Sequence, residues 1–558
     1  MQGICQRRGR GGGARPVRRV VAGWFSLALA LSPAIGGSPA SARHQPASAA
    51  VMSDAILAWG GNDGGQLGDG TTTDSSEPIA VRLPTGTTVA AVAAGDRHSV
   101  ALTSAGTVLA WGRNTEGQLG NGTTTSSGEP VAVSLPSGIR IVAVAVGADH
   151  SLALTSTGSL LAWGSNDTGQ LGDGSVTSSS TPVAVRLPPN TTVAAIAAGR
   201  DHNLVLTATG PAALLAWGAN REGQLGDGTV VDRSRPVPVN LPTGLTVTAI
   251  AGGRDHSLAL TSDDTVLAWG GNSHGQLGDG TTTGSLLPVT VVLPVGAEAT
   301  AIAAGRLHSL ALTSDGTALA WGGNHWGQLG NGSTSDSSEP VAVSLPGGTR
   351  LISIASRDSD HNVAITTEGA ALAWGLNSQG HLGDGTTTDS ATPVAVSLPA
   401  GAALTSIAVG DDHSLALPAQ QPGSTTSLQV SPQNPTADQE VTLTAAVFCT
   451  TGAPTGSVTF RSNNTDLATV PLGSTNTATH TTMLPVGTNT LTADFTSIDT
   501  TCPNSQSEAT TITVAEPPEL PTTGPNLPTL LGAAALFLLT GTALIHLSRQ
   551  RRPTCHPH

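Results

Sequence analysis

The 558-residue sequence contains no lysine and no tyrosine, and aromatic residues make up only 3% of it. Without lysine the chain cannot form a Walker A phosphate loop, a Schiff-base intermediate or a serine–lysine nucleophile. The formal net charge of −14 argues against nucleic acid as a partner, because phosphate backbones are bound by basic surfaces. The length, with 69 glycines and 36 prolines, predicts several domains or one repetitive array.

The first 42 residues have the three-part pattern of an export signal. Arginines are followed by an apolar run at 20–31, and Ala40-Ser41-Ala42 offers a small-residue cleavage site. The run is too short to span a bilayer as a stable helix. Arg18-Arg19 leaves twin-arginine export open, although the apolar residues that follow favour the general route.

The other end resembles the LPXTG cell-wall sorting signal of Gram-positive surface proteins. The signal would occupy residues 517–558, with a membrane helix at 530–547 and a basic tail. Its pentapeptide is Leu520, Pro521, Thr522, Thr523 and Gly524. The resemblance implies that a sortase cuts after Thr523 and joins it to peptidoglycan, so that the membrane holds the chain only transiently. An ordinary single-pass anchor is the alternative.

Both processing steps change the expected charge and the cysteine count. They remove nine of the 24 arginines and none of the 38 acids, which leaves 15 against 38, a charge of −23. The remaining cysteines, Cys449 and Cys502, form an even pair in an oxidising compartment. We expect a disulfide between them, with two free buried thiols as the alternative.

Seven units repeat between the two ends. Ala-Trp-Gly recurs every 52–54 residues, and each unit also carries a His followed by Ser or Asn. The tryptophans are Trp59, Trp111, Trp163, Trp217, Trp269, Trp321 and Trp374. One unit has four strand candidates, at 89–94, 99–103, 108–111 and 131–135, which predicts a β-propeller with one sheet per blade. A parallel β-helix is the structural alternative.

The repeat resembles that of the regulator of chromosome condensation family. The pattern Gly-x-Asn-x-x-Gly-Gln-Leu-Gly-[Asp/Asn]-Gly, followed by Gly-x-x-His-Ser and Ala-Trp-Gly, recurs in seven copies, and it predicts a seven-bladed propeller over residues 51–417. The array enters on the lone strand 56–59 and leaves after His413. We therefore expect the first strand to complete the last blade and close the ring.

A second domain follows a linker predicted at 418–426. Alternating segments between 427 and 516 indicate a β-sandwich, and the run at 456–460 with those at 484–488 and 492–495 resembles bacterial immunoglobulin-like domains. The predicted fold class is thus all-β, a seven-bladed β-propeller followed by an immunoglobulin-like β-sandwich.

The sequence offers no catalytic constellation and no metal site, so we expect no enzyme activity and no cofactor. One His per blade is spread around a ring, whereas metal sites need convergent ligands. The Asn-rich loops supply too few oxygens for calcium. No zinc-protease helix of the His-Glu-x-x-His type occurs.

A binding face is expected where repeat positions vary. The Gly-x-x-His and Gly-x-Asn-x-x-Gly turns share one face if the strands run up and down, and the opposite turns are uniform. Candidate ligand-binding residues in these slots are Trp326, His325, His274, Arg113, Glu116, Arg221, Glu222, Arg254 and Arg306. Trp326 stands outside the repeat motif, and Trp and Arg are favoured in binding hot spots.

These observations predict a secreted, cell-wall-anchored, monomeric protein whose propeller binds an unidentified protein or glycan. Sortase and peptidoglycan are its expected partners at the C-terminus. One alternative is an inhibitor of an extracellular enzyme such as a β-lactamase, by resemblance to secreted propeller inhibitors. A hydrolase or lyase on the propeller is the second alternative.

Overall fold

The computed structural model describes residues 56–210, 213–419, 423–450, 452–498 and 502–517. The predicted export and sorting signals lie outside these residues. Within them every regular element is a β-strand, which confirms the all-β class. The chain divides into two compact units, Met1–Gln421 and Pro422–His558.

The described residues of the first unit form 28 strands. They are β1 (Leu57–Gly60), β2 (Ser75–Ala80), β3 (Val89–Ala94), β4 (His98–Thr103), β5 (Val108–Gly112), β6 (Ser127–Ala132), β7 (Ile141–Val146), β8 (His150–Thr155), β9 (Leu160–Gly164), β10 (Ser179–Ala184), β11 (Thr192–Ala198), β12 (His202–Thr209), β13 (Leu214–Gly218), β14 (Arg233–Pro238), β15 (Val247–Gly252), β16 (His256–Thr261), β17 (Val266–Gly270), β18 (Ser285–Thr290), β19 (Ala299–Ala304), β20 (His308–Thr313), β21 (Ala318–Gly322), β22 (Ser337–Ala342), β23 (Leu351–Ala355), β24 (His361–Thr366), β25 (Ala371–Gly375), β26 (Ser390–Ala395), β27 (Leu404–Val409) and β28 (His413–Pro418).

These strands form seven four-stranded antiparallel blades, so the predicted seven-bladed propeller is confirmed. Blades 1 to 6 each take four consecutive strands, from β3–β6 to β23–β26. Blade 7 is built from both ends of the array in the order β2-β1-β28-β27, with Trp59 opposite Ser414. The N-terminal strand therefore closes the ring, as the phase of the repeats predicts.

The repeated tryptophan joins neighbouring blades. Each of the seven indoles is fully buried, and its Nε1 donates to a backbone oxygen in the loop of the preceding blade, as from Trp111 to Gln66 at 2.8 Å. The hydroxyl of Ser99, on the strand paired with Trp111, donates to the same oxygen at 2.8 Å. Sequence conservation between repeats at these positions thus reflects packing between blades.

The outermost strand of blade 1 begins four residues earlier than the predicted 131–135. It runs from Ser127 to Ala132, although Ser127-Gly128-Glu129-Pro130 has the composition of a turn. The register shifts between the pairs Ala110–Val131 and Gly112–Ser127, with the extra residues on the outermost strand, and this bulge lets Ser127 pair with Gly112. This pairing is fixed by the partner strand, so local composition does not reveal it.

The second unit is an immunoglobulin-like sandwich, which completes the predicted fold class. Its strands are β29 (Ser424–Ser431), β30 (Val441–Cys449), β31 (Gly456–Ser462), β32 (Thr465–Pro471), β33 (Thr477–Thr482), β34 (Gly487–Ser497), β35 (Ser505–Gln506) and β36 (Thr510–Val514). One sheet has the order β29-β30-β33, and the other has β32-β31-β34-β35 with β36 beside β34. Strand β29 begins inside the predicted linker, because Ser424 pairs with Cys449. Cys449 and Cys502 are joined as a disulfide.

Candidate functional site

Two turns of every blade lie side by side on one face of the propeller, which we call the turn face. The backbone N–H of Arg113 donates to the oxygen of Arg97 at 2.8 Å, and that of Gly323 donates to Leu307 at 2.7 Å. The corresponding bond recurs in all seven blades. The variable slots of both repeat turns therefore meet on the turn face.

The seven repeat histidines form a closed ring of hydrogen bonds beneath the turn face. Each Nε2 contacts the Ser or Asn that follows the His of the next blade, at 2.7–3.0 Å. Asn203 donates its Nδ2 to the Gln170 oxygen, so its Oδ1 accepts from His150 and fixes a neutral imidazole with the proton on Nε2. Burial lowers the pKa of His150 to about 4 and that of His202 to about 3. These histidines therefore connect neighbouring blades around the ring.

The Asn-rich loops are closed by their own side chains. In blade 7 the Oδ1 of Asn62 accepts from the N–H of Leu67 at 2.9 Å, and its Nδ2 donates to the oxygen of Thr73 at 3.0 Å. Asp69 accepts from the hydroxyl and N–H of Thr71. The oxygens that resemble calcium ligands in sequence are thus used within the loop. No cluster of three or more metal-ligating side chains occurs in the part of the chain that the structure describes.

An arginine from blade 6 covers the centre of the turn face. The turn that connects the first strand of blade 6 to its repeat His is one residue longer than the corresponding turn of blade 1. The Arg357 guanidinium donates to the backbone oxygens of Ala94 in blade 1 and Gly199 in blade 3, at 3.2 and 3.4 Å. Asp358, fully buried beside it, lies 3.3 Å from Arg200. The long turn therefore links blades across the propeller axis.

Acidic groups exceed basic ones around this centre. Burial, reinforced by the carboxylates of Asp96 and Asp412, raises the pKa of Asp411 to about 7. Burial also raises the pKa of Asp149, and the neighbouring Asp96 raises it further. Arg97 contacts Asp412 at 2.9 Å, yet burial still raises the pKa of that carboxyl. Positive charge in this region does not neutralise the negative charge.

Three of the predicted site residues lie together in blades 4 and 5. The rings of His325 and Trp326 meet edge to face with centroids 4.7 Å apart, and the Trp326 side chain is 39% exposed. His274 Nδ1 lies 2.8 Å from an oxygen of Asp336, whose other oxygen accepts from the N–H of Asn324 at 2.8 Å. The loop that carries Trp326 is therefore fixed to the neighbouring blade.

The remaining predicted residues are distributed around the turn face. Arg306 contacts Asp360 at 3.6 Å, and Arg254 contacts Asp255 at 3.3 Å. Arg113 and Glu116 are half-buried in blade 1, and Arg221 and Glu222 are exposed in blade 3. The candidate set omits Leu307, Asp411 and Asp412, which occupy the same variable slots; comparison of the seven repeats position by position would have included them.

The outer rim carries an apolar patch at one place. Val230 and Val231 follow Gly228, whose backbone N–H donates to the oxygen of Leu286 in strand β18. Val230, Val231, Leu286 and the adjacent Leu287 are 39–55% exposed. At the position of Leu287 other repeats have Glu77, Glu129, Thr181, Arg235, Glu339 and Thr392. We refer to these four residues as the rim patch.

Among the described residues there is no helix that is long and apolar enough to cross a bilayer. The predicted span at 530–547 lies outside those residues, as do the five residues of the sorting pentapeptide.

Two family models match the chain. Residues 49–416 match the RCC1-like domain, and residues 428–515 match the bacterial Ig-like domain, group 3.

Among curated proteins the chain is similar to the ultraviolet-B receptor UVR8 of Arabidopsis thaliana, with 33% identity over 342 residues that cover 61% of this chain and 77% of the receptor. It is also 33% identical over 382 residues to human E3 ubiquitin-protein ligase HERC2, covering 67% of this chain and 8% of the ligase.

The chain is also similar to proteins of solved structure. Human WBSCR16 is 25% identical with a TM-score of 0.59, over 66% of this chain and all of that one. Prp20p of Saccharomyces cerevisiae, whose binding to Gsp1p and histones has been described, is 25% identical with a TM-score of 0.58, over 66% and 92%.

Proposed function

The chain belongs to the family of RCC1-like domain proteins, and on that premise we propose that it is a cell-wall-anchored surface protein whose propeller binds another protein. A relative of known structure indicates a protein-binding propeller, since Prp20p binds Gsp1p and histones. For this chain we propose surface display and adhesion in addition to protein binding.

The observation that carries the proposal is the contrast between the two faces of the propeller. On the turn face, equivalent positions of seven repeats hold Trp326, His274, Glu116 and other chemically different side chains. On the opposite face most turns keep Ser or Thr with Gly, and the others keep the Leu-Pro motif. Side chains that differ between otherwise identical units are not required by the fold, and an exposed tryptophan among them is a typical binding anchor.

The two ends of the sequence support the surface location. An export signal at 1–42 and the pentapeptide from Leu520 to Gly524 would release the chain outside the membrane and join Thr523 to peptidoglycan. The immunoglobulin-like domain would then hold the propeller away from the wall. We propose that the domain acts as a stalk.

Two measurements test these parts separately. Mass spectrometry of wall digests should find a C-terminal fragment that ends at Thr523, and fragments that retain the 530–547 segment would disprove sortase anchoring. The mature chain is then applied to arrays of extracellular proteins and glycans. We expect protein ligands that bind the wild type and lose at least about tenfold in affinity to Trp326→Ala. Ligands that bind both forms equally would place the site elsewhere.

A further inference from the structure

The turn face is divided into two chemically different regions. The first, the acidic half, comprises the variable slots of blades 7, 1 and 2. It holds seven carboxylates and two guanidiniums: Asp63, Asp96, Glu116, Asp149, Asp167, Asp411 and Asp412, with Arg97 and Arg113. The second, the aromatic sector, lies in blades 4 and 5 and comprises His274, Leu307, His325 and Trp326. Its neighbouring slots hold Arg254 and Arg306 against one acid, Asp255.

Leu307 makes the aromatic sector more than an isolated tryptophan. The same turn position is Asp149, Asp201, Asp255, Asp360 and Asp412 in five other blades. A β-carbon added at Gly323 would lie 3.1 Å from Leu307 Cβ and 3.6 Å from His274 Cβ, so glycine allows these two side chains to approach each other. A half-buried leucine thus replaces an acid beside Gly323 and His274, in the blade that also carries the exposed His325 and Trp326.

Among the described residues, the carboxylates at the centre lack sufficient cationic partners. Asp358 is fully buried, yet its Oδ1 accepts no hydrogen bond, and Asp96 Oδ1 likewise has none. The two guanidiniums nearest to Asp96 lie 3.9 Å from it. Burial and mutual repulsion raise the pKa of Asp411 to about 7, and burial raises that of Asp358 well above its ordinary value. A cation from outside would lower this repulsion.

Resting on the proposed function, we infer that the turn face recognises a protein segment that combines a basic residue with an apolar one. The basic side chain faces the acidic half, and the apolar side chain packs against Trp326 and Leu307 in the aromatic sector. Such an arrangement gives both a fast, charge-steered encounter and a desolvated anchor. The strongly acidic mature chain would disfavour anionic polymers on the same surface.

The test uses a phage-displayed library of random dodecapeptides, panned on the full chain. We expect enriched peptides to contain Lys or Arg together with Leu, Phe or Trp. Their dissociation constants, measured by fluorescence anisotropy, should rise at least about tenfold with Trp326→Ala. The double variant Glu116→Gln/Asp167→Asn should raise them about two- to fivefold and weaken their dependence on NaCl concentration.

Matched controls lie on the opposite face. Val295→Ala removes a fully exposed apolar side chain there, and Asp264→Asn removes an exposed carboxylate, so neither should change peptide affinity. Circular dichroism melting of each variant verifies folding.

Enrichment of acidic or purely apolar peptides would overturn the inference, as would selected peptides that ignore Trp326→Ala. Failure to enrich any peptide would also overturn it. If protein ligands on the arrays still depend on Trp326 in any of these cases, the proposed function stands and only the stated partner chemistry is wrong.

Discussion

His413 of the last blade donates its Nε2 proton to the hydroxyl oxygen of Ser99 in the first blade, over 2.7 Å. The direction follows from Ser99, whose own proton goes to the Gln66 backbone oxygen at 2.8 Å. This bond closes the histidine ring at the seam between blade 1 and blade 7, the blade that contains both ends of the repeat array. Replacing Ser99 should therefore test how strongly the seam holds the propeller together.

Ser99→Ala leaves the buried His413 Nε2–H without an acceptor. We expect a loss of about 1–3 kcal/mol in the free energy of unfolding, measured in urea. Ser99→Asn is the control, because Asn203 fills the same position in blade 3, donating to Gln170 and accepting from His150. If Ser99→Ala were as stable as wild type while Ser99→Asn was not, volume rather than hydrogen bonding would decide stability here.

The propeller should lose stability as the pH falls below about 6.5. Each buried His has a folded-state pKa below its ordinary value, about 3 for His256 and His413, so the unfolded chain binds more protons between pH 6.5 and that value. Asp411, with a pKa of about 7, acts in the opposite direction, since its destabilisation disappears on acidification. Because eight described histidines with lowered pKa values oppose five aspartates with raised ones, thermal melting from pH 7.5 to 4 should show a net decrease in Tm.

His381→Gln isolates one part of this dependence. Burial lowers the pKa of His381 to about 4, and the other six repeats have Gln at its position. The variant should match wild type at pH 7.5 and exceed it by about 2–3 kcal/mol in free energy of unfolding at pH 4.5. The exposed His325→Gln should leave the difference between the two pH values unchanged. If both variants changed in stability with pH in the same way, the folded state would not disfavour the protonated form of His381.

Truncation of a buried and of an exposed tryptophan should affect the stability of the propeller to very different extents. Trp59 is fully buried in the closing strand and donates Nε1 to the His381 oxygen at 2.8 Å, so Trp59→Ala should cost about 3–5 kcal/mol. Trp326→Ala, at an exposed position, should change stability by no more than about 0.5 kcal/mol.

Deletion of residues 51–60 should unfold or oligomerise the domain, as judged by sedimentation and melting. A monomeric deletion variant with an unchanged Tm would show that β1 is dispensable for closure.

The sequence predicts most of the architecture because the same packing positions recur in each of the seven repeats. Trp111 and its equivalents mark blade junctions, and the phase of the array predicts that β1 completes blade 7. The hydrogen bonds of Arg357 are not predictable from the sequence, because they depend on one additional residue in a turn and on backbone oxygens in two distant blades. The same is true of the His150–Asn203 bond, which joins residues 53 positions apart.

The turn face likewise has features that the sequence predicts and features that it does not. Variation between repeats identifies Trp326 and His274 without any structure. It does not show that Gly323 brings Leu307 beside His274, or that Asp96, Asp358 and Asp411 repel one another at the centre. These features arise from the convergence of separate blades, which local sequence does not encode.

The Cys449–Cys502 disulfide should stabilise the immunoglobulin-like unit and leave the propeller unchanged. It joins residues separated by 53 positions, and closing a loop of that size in the unfolded chain corresponds to about 4 kcal/mol in the chain-entropy estimate. Both sulfurs lie in the core with Phe460 and Phe495, so Cys449→Ala/Cys502→Ala also removes buried contacts. Calorimetry of the full chain should show one transition shifted to lower temperature and a second, propeller transition at its wild-type position. A shift of both transitions would mean that the two units unfold cooperatively, and a shift of neither would mean that the bond contributes nothing to stability.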